Sequence, residues 1–195
     1  ICGVVALRSL KSEQVKEFLK DKSESVRAEA ARAIHDDFSI PNALPDLAVS
    51  LNAPIKNGES FVRRAINANF RLGKNENILQ LTRFATNVNQ SLKFSKIAIE
   101  NVGNWLTEDP LDQVTGRFQK LDTTMRILDK STMEVVANRL GEIASGNQAE
   151  LISSSLKAVR SLKVELNEKF LNAIVFSAKS PSEAKIEALV SLNKF

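Results

Sequence analysis

The stretch Phe61–Gly73, FVRRAINANFRLG, determines how the rest of the chain can be interpreted. Its apolar residues Phe61, Ala65, Ala68 and Leu72 recur at spacings of three and four, which predicts a helix with one buried face. The glycine that ends the stretch suits a helix C-terminal cap. We therefore expect this segment to be the inner helix of a helical repeat.

Helices with the same pattern are predicted before and after this stretch. Equivalent positions follow at steps of 35 and 33 residues: Val26, Phe61 and Phe94, then Ala30, Ala65 and Ala98. Weaker copies, 32 residues apart, are Ile152, Leu156 and Val159, then Ala184, Ala188 and Leu192. A helix pair of this length cannot bury its apolar face alone, so neighbouring pairs must stack. The sequence thus predicts an all-α superhelix, an α-solenoid of about five helical hairpins, with inner helices at 26–36, 59–72 and 91–106.

The repeat pattern fails near residues 109–131. Pro110, Gly116 and scattered apolar residues predict short helices and an extended connection in this insert. The periodic segments on both sides of it still lead us to expect one repeat domain over residues 1–195. Because the chain begins inside a predicted helix, we also expect it to be a segment of a longer protein.

Composition supports the all-α assignment. Apolar residues make up 43% of the 195 residues, while Gly, Pro and Trp are few and Tyr is absent, which argues against an all-β chain. The formal charge of +4 is small. Its basic excess lies in residues 56–96, where eight Lys and Arg residues face only Glu59 and Glu76. This stretch could form a basic patch.

The sequence contains no recognisable catalytic or metal motif. One cysteine, Cys2, excludes an internal disulfide, and one Cys with one His cannot supply the usual zinc site. We therefore predict no metal and no cofactor. His35 is followed by Asp36 and Asp37 and is expected to interact with the C-terminal end of its helix rather than to act in catalysis. No apolar run is long enough to span a bilayer, and no signal peptide is recognisable.

The segment VRAEAARAI at 26–34, together with the repeat length, resembles a HEAT repeat. In such repeats an acidic or amide residue in the turn often stands six positions before a basic residue of the inner helix. The pairs that fit are Asp21 with Arg27, Asn57 with Arg63, and Asn87 with Lys93. The resemblance implies a ladder of polar contacts between neighbouring repeats.

A narrower resemblance covers about residues 25–121. The segments VRAEAARAIHD, ALPDLA, RRAINANFRLGKNEN, NVGNWLTEDP and DQVTGRF are similar, in this order, to the HEAT segment of bacterial exported membrane-bound dehydrogenase-like proteins. In that family a β-propeller precedes the repeats, and a haem-binding cytochrome c domain with a Cys-x-x-Cys-His motif often follows. Neither catalytic part is present in these residues. The resemblance implies a periplasmic or exported location.

Five residues are candidates for contact with a partner: Arg64, Arg71, Lys74, Lys96 and Trp105. Arg64 and Arg71 lie two turns apart on one side of the predicted inner helix and are expected to face the concave groove. Trp105 could anchor a partner, since tryptophan is frequent at binding hot spots, or it could pack between repeats.

These observations predict a non-enzymatic protein-interaction scaffold. The partner would be a protein or another domain of the same chain, and the resemblance favours an exported dehydrogenase or cytochrome-type parent. A free-standing adaptor protein would account for the same residues. A nucleic-acid binder using residues 56–96 is a second alternative. No small-molecule substrate and no membrane insertion are expected.

Overall fold

The computed structural model describes residues 1–54, 56–119, 121–124 and 126–193. These residues form α-helices, short 3₁₀ helices and loops, and the all-α prediction is confirmed. The α-helices of the described residues are α1 Cys2–Ser9, α2 Glu24–His35, α3 Leu44–Val49, α4 Glu59–Leu72, α5 Asn75–Thr86, α6 Leu92–Gly103, α7 Lys130–Ala144, α8 Ala149–Ser161, α9 Glu168–Phe176 and α10 Ser182–Leu192. The 3₁₀ helices are Glu13–Lys20, Pro41–Ala43 and Ser50–Asn52.

The predicted inner helix is α4. Phe61, Ala65 and Ala68 are buried in it, as their spacing predicts. Gly73 follows the helix with φ of 67°, a left-handed conformation that glycine adopts without the clash of a Cβ atom. Its N–H bonds the carbonyl of Asn69 and closes the last turn. The predicted C-terminal cap is confirmed.

The chain forms two compact units. Unit 1 comprises residues 1–80 and 109–121, and unit 2 comprises residues 81–108 and 122–195. The boundary falls inside α5, and the predicted insert is divided between the units. The expectation of one repeat domain over 1–195 stays a prediction.

In unit 1, α4 packs against α2 and α3, while α2 also contacts α1 and the first 3₁₀ helix. Small residues allow this close approach, since Ala30 and Ala33 of α2 and Ala65 of α4 are fully buried. Asn69 is also buried, and its amide donates to the carbonyl of Ala48 at 2.9 Å. This bond joins the last turn of α3, where the Ser50 N–H also reaches the Ala48 carbonyl, to α4.

In unit 2, α8 contacts α6, α7 and α10, and α9 packs on α10. The buried apolar cluster at the C-terminal end comprises Ala144, Ile152, Leu156, Leu171, Ile174, Ala184 and Ala188. Four of these positions, Ile152, Leu156, Ala184 and Ala188, belong to the weak repeat copies of the sequence. Gly103 lets α6 approach α8, because a Cβ atom there would lie 3.2 Å from the Cα atom of Ala158.

Two local expectations need correction. The insert contains no α-helix in the described residues between 104 and 129, so the predicted short helices are wrong. The carboxylates of Asp112, Asp122 and Asp129 instead accept hydrogen bonds from backbone N–H groups two or three residues further along, as in turns. The inner helix predicted for 91–106 ends at Gly103, and Trp105 lies in the following turn.

No helix of the described residues has the length and apolar character needed to cross a membrane.

Candidate functional site

Arg27 joins two turns of unit 1. Its guanidinium donates to the side-chain oxygen of Asn57 at 2.6 Å and to the carbonyls of Asp21, Lys22 and Lys56 at 2.8, 3.1 and 3.0 Å. The side chain is almost fully buried. Arg27 therefore connects the turn before its own helix to the turn before α4.

The other predicted ladder residues make different contacts. Arg63 approaches Glu59 at 3.8 Å and the carbonyl of Gln113 at 3.5 Å. Asn87 lies on the surface, where its side-chain oxygen accepts from the N–H of Asn89. Lys93 is exposed. The ladder beyond Arg27 stays a prediction.

Arg64, one of the predicted partner-binding residues, is paired inside unit 1. Its Nε and Nη2 atoms each donate to a different carboxylate oxygen of Asp36 at 2.8 Å. Both side chains are largely buried, and Arg64 also bonds the carbonyl and hydroxyl of Ser60. A bidentate pair of this kind is geometrically specific. Arg64 therefore fixes the end of α2 against α4.

Arg71 occupies the same face of α4. Its Nη1 donates to the carbonyl of His35 at 2.9 Å, and its guanidinium lies over the ring of Phe38, 4.0 Å from the centroid. Burial lowers the pKa of the Arg71 guanidinium to about 10, although Asp112 and Asp36 act in the opposite direction. The charge remains in place at neutral pH.

His35 is fully buried beneath these arginines. Its Nε2 lies 2.8 Å from the side-chain oxygen of Asn67, and its Nδ1 lies 3.0 Å from Asp36. Burial raises the pKa of Asp36, but hydrogen bonds from His35 and Arg64 outweigh it and hold the pKa well below its usual range. His35 does end α2, as predicted, yet its side chain serves as a buried connection to α4.

The segment 109–119 completes this polar cluster from outside the helices. The N–H of Asp112 bonds the carbonyl of Arg117 at 2.8 Å, and the N–H of Gln119 bonds the carbonyl of Pro110 at 2.7 Å. Together these bonds form a short hairpin, in which Leu111 and Phe118 make an isolated antiparallel bridge. We call residues 109–119 the hairpin. Its Asp112 carboxylate points inward, 3.6 Å from Nε2 of His35.

Part of this cluster could be predicted from the sequence. The segment DQVTG suggests a tight turn, since Asp and Thr side chains bond nearby backbone and Gly116 adopts a positive φ of 67°. Nothing in the sequence indicates that the turn lies against His35, because the two are 77 positions apart.

In unit 2, Trp105 is fully buried. Arg126 donates to its carbonyl at 2.8 Å and lies over its ring, 5.0 Å from the centroid. No part of the Trp105 ring is accessible in this structure, so direct contact with a partner stays a prediction without support from its position. The alternative of a packing role fits its burial.

The remaining two candidates are accessible. Lys74 of unit 1 is exposed and lies 3.9 Å from Glu76. Lys96 of unit 2 donates to Glu150 at 3.1 Å. Both ammonium groups face solvent, and their role in binding stays a prediction.

An open groove of about 490 Å³ lies on unit 2, between the turn after α5 and the turn after α7. Sequence reasoning missed it, because its parts are more than 50 positions apart. Four amide side chains line it: Asn87, Gln90, Asn147 and Gln148. Its apolar lining comprises Ala85, Val88, Leu92, Ile143 and Leu151.

Within the described part of the chain, no three His, Cys, Asp or Glu side chains are placed to hold a metal ion. The cluster of His35, Asp36 and Asp112 is instead hydrogen-bonded or paired with arginine.

Comparison with known proteins gives a fold. No protein-family model matches the chain, and no curated protein matches it. A designed armadillo repeat protein in complex with the peptide (KR)4 has a TM-score of 0.55 at 16% identity, over 98% of this chain and 85% of that one. A computationally designed armadillo repeat protein for modular peptide recognition has a TM-score of 0.55 at 17% identity, over 94% of this chain and 81% of that one. A further designed armadillo repeat protein matches at 0.51 and 15% identity, over 97% and 84%.

These similarities support the predicted fold class, a superhelix of stacked helical repeats. The similar structures are armadillo repeat proteins and not HEAT repeat proteins. The predicted HEAT resemblance is therefore supported only as a resemblance to helical-repeat proteins in general. They give no support to the narrower dehydrogenase-like resemblance.

Proposed function

We propose that this chain is a non-catalytic protein-interaction scaffold that binds an extended segment of a partner protein. The observation that carries the proposal is the groove of unit 2, which combines four amide side chains with an apolar lining. The fold supports it as well, since two of the similar structures are described as bound to a peptide or made for peptide recognition.

Amide side chains suit a peptide backbone. Each Asn or Gln offers two donors and one acceptor oxygen, and an extended backbone presents N–H and C=O groups that need partners once water is removed. The side chains of Gln90, Asn147 and Gln148 have no hydrogen-bond partner in the described structure, so a ligand would displace only water. Glu142 is the single charged residue of the described lining. The groove therefore suits an uncharged or weakly basic segment.

The apolar lining favours a segment with one aliphatic or aromatic side chain. Leu151 is buried, Ile143 is half-buried, and Val88 is almost fully exposed at the rim. Covering these residues would remove apolar surface from water, at about 25 cal/mol per Å². The volume of about 490 Å³ falls in the usual range of roughly 300 to 1,000 Å³ for ligand sites.

The test begins with selection of displayed peptides on the whole chain, followed by fluorescence polarisation with a labelled binder. Gln148→Ala should weaken binding about tenfold, because one or two hydrogen bonds are lost. Ile143→Glu should abolish it by placing a charge in the apolar part of the groove. Gln14→Ala, which removes an exposed glutamine of unit 1, is the matched control and should bind like the wild type.

Failure of the selection to give any binder of micromolar affinity would count against the scaffold function itself. Binders that tolerate both groove substitutions would place the site elsewhere and leave the function standing.

Nucleic-acid binding has weaker support. Two of the eight basic residues of the stretch 56–96, Arg64 and Arg71, are engaged with Asp36 and with the carbonyl of His35. They are thus less available for phosphate contacts.

A finer proposal concerns the parent protein. We propose from the sequence resemblance alone that the scaffold belongs to an exported dehydrogenase or cytochrome-type protein, where it would separate an oxidising domain from its electron acceptor. Sequencing the flanking reading frame tests this. A propeller upstream and a Cys-x-x-Cys-His motif downstream would support the proposal, and a start codon and stop codon at the two ends would refute it.

A further inference from the structure

The hairpin of unit 1 is held on α2 and α4 by few polar contacts. Arg117 donates to the carbonyl of Asp36 at 3.0 Å, and Arg63 reaches the carbonyl of Gln113 at the long distance of 3.5 Å. Its large apolar side chains are turned away from the helices, since Leu111 is 52% and Phe118 74% exposed. A segment with so little buried apolar surface is expected to open at low free-energy cost.

The contact at the centre of the hairpin is incomplete. The Asp112 side chain is 1% exposed. Its Oδ1 accepts from the N–H groups of Val114 and Thr115 and from the Thr115 hydroxyl. Its Oδ2 is buried, yet no hydrogen bond reaches it within the described structure, and Nε2 of His35, which already bonds Asn67, lies 3.6 Å away. A buried acceptor of this kind is costly and unusual.

A buried donor without an acceptor lies on the same surface. Nε of Arg71 is buried and makes no hydrogen bond in the described residues. The side chain is held in place by its bond to the carbonyl of His35 and by the ring of Phe38. His35 is likewise fixed by Asn67. The two groups are therefore positioned by the helices and do not depend on the hairpin.

The charge of the surface beneath the hairpin suits an anion. Arg64 and Arg71 together carry two positive charges, and Asp36 carries one negative charge against them. One positive charge is thus left for an incoming carboxylate. Arg71 is suited to it, because a guanidinium presents its donors in a planar fork that matches a carboxylate.

We propose that Arg71, beside the buried ring of His35, forms a carboxylate-binding site for an acidic turn of a partner protein, and that the chain's own Asp112 occupies this site in the structure. The unmatched Oδ2 and Nε atoms make the internal occupant a poor fit. A partner turn that places its carboxylate within hydrogen-bond distance of Nε of Arg71 would displace the hairpin. This site lies on unit 1 and does not depend on the groove proposed above.

The experiment uses the full chain and a fluorescein-labelled synthetic peptide of residues 109–119, DPLDQVTGRFQ, as the competing turn. Asp112→Asn keeps the oxygen that bonds Val114 and Thr115, so the turn can still form, but it removes the charge that faces His35. The variant should bind the peptide at least about tenfold more tightly than the wild type, because its own hairpin competes less well. Fluorescence polarisation measures both affinities.

Asp109→Asn is the matched control. It makes the same change of charge in the same hairpin, but the carboxylate of Asp109 bonds only the N–H of Leu111 in the described contacts. Its affinity for the peptide should equal that of the wild type. A peptide carrying Asn in place of Asp112 should not bind any of the three chains.

Equal affinity of the peptide for wild type, Asp112→Asn and Asp109→Asn would overturn the proposal, and so would binding that ignores the charge of the peptide. If circular dichroism shows that Asp112→Asn is unfolded, hydrogen exchange on the wild type decides. The added peptide should then raise exchange of the 109–119 amides and leave α2 and α4 protected, whereas unchanged exchange would refute the competition.

Discussion

Replacing Arg27 by alanine tests whether contacts between turns stabilise unit 1. The side chain is 5% exposed and donates four hydrogen bonds, to Asn57 and to the carbonyls of Asp21, Lys22 and Lys56. A hydrogen bond from a charged donor is worth about 1.5 to 3 kcal/mol, and such values do not add fully in one network. Water can partly replace the donor at the exposed edge of the turns. We therefore expect Arg27→Ala to lower the free energy of unfolding by about 3 to 5 kcal/mol.

Arg27→Lys separates charge from geometry. A lysine keeps the positive charge, but its single ammonium group cannot reach the acceptors in both turns at once. The loss should be about 2 kcal/mol, between wild type and the alanine variant. A purely electrostatic role would leave Arg27→Lys close to the wild type.

Urea denaturation followed by circular dichroism at constant pH measures these free energies. Arg32→Ala is the control, since Arg32 lies on the same helix but is exposed and pairs only with Glu29 among its described contacts. It should change stability by less than about 0.5 kcal/mol. An Arg27→Ala variant within 1 kcal/mol of the control would show that the contacts between turns contribute little.

Two further substitutions test other parts of the fold. Gly103→Val should lower the free energy of unfolding by about 1 to 3 kcal/mol, because the new Cβ atom would press on α8. Gly3→Val is the control and should cost nothing, since no atom lies within 4 Å of a Cβ atom at that position. Chemical denaturation measures both free energies. The pKa of Asp36 is raised by burial but lowered further by hydrogen bonds from His35 and Arg64, so the folded value lies below the unfolded value of about 3.9. The ionised Asp36 carboxylate therefore stabilises the folded chain above about pH 4, and this stabilisation is lost as the pH falls further. In an acid titration of the free energy of unfolding, Asp36→Asn should lose less stability than the wild type between about pH 5 and 2. Parallel curves for the two proteins would contradict this.

The regular helices could be predicted because their signal is local. Phe61, Ala65 and Ala68 lie one turn apart in the sequence and on one face of α4, and Gly73 ends the helix through its own backbone freedom. The type of helix that residues 13–20 form is harder to predict. They carry a helical pattern, with Ser12 as an N-cap that accepts from Gln14, yet they form a 3₁₀ helix. Apolar spacing does not distinguish the two forms in a short segment.

The candidate sites could not be predicted in this way, because they depend on distant residues. Arg64 and Arg71 have the spacing of exposed groove residues, but the sequence does not reveal that Asp36 and the carbonyl of His35 lie opposite them. Trp105 shows the same difficulty. A lone tryptophan suits either an anchor or a core residue, and only the position of the helices around it decides between them.

The two units are stabilised in different ways, and this difference explains why their candidate binding sites differ. The C-terminal part of unit 2 has an apolar cluster from α7 to α10, so its polar turn residues are free to line an open groove. Between α2 and α4 of unit 1, by contrast, charged side chains take part in the packing. Buried charges are tolerated only when they are paired. Asp36 pairs with Arg64, so Arg71 on the same surface needs a negatively charged partner of its own. A carboxylate from elsewhere is the natural complement of that arginine, and the hairpin supplies one in Asp112 whose Oδ2 still lacks a donor. The need of Arg71 for a carboxylate thus holds the hairpin on the helices, and it also allows an acidic turn that fits better to replace the hairpin.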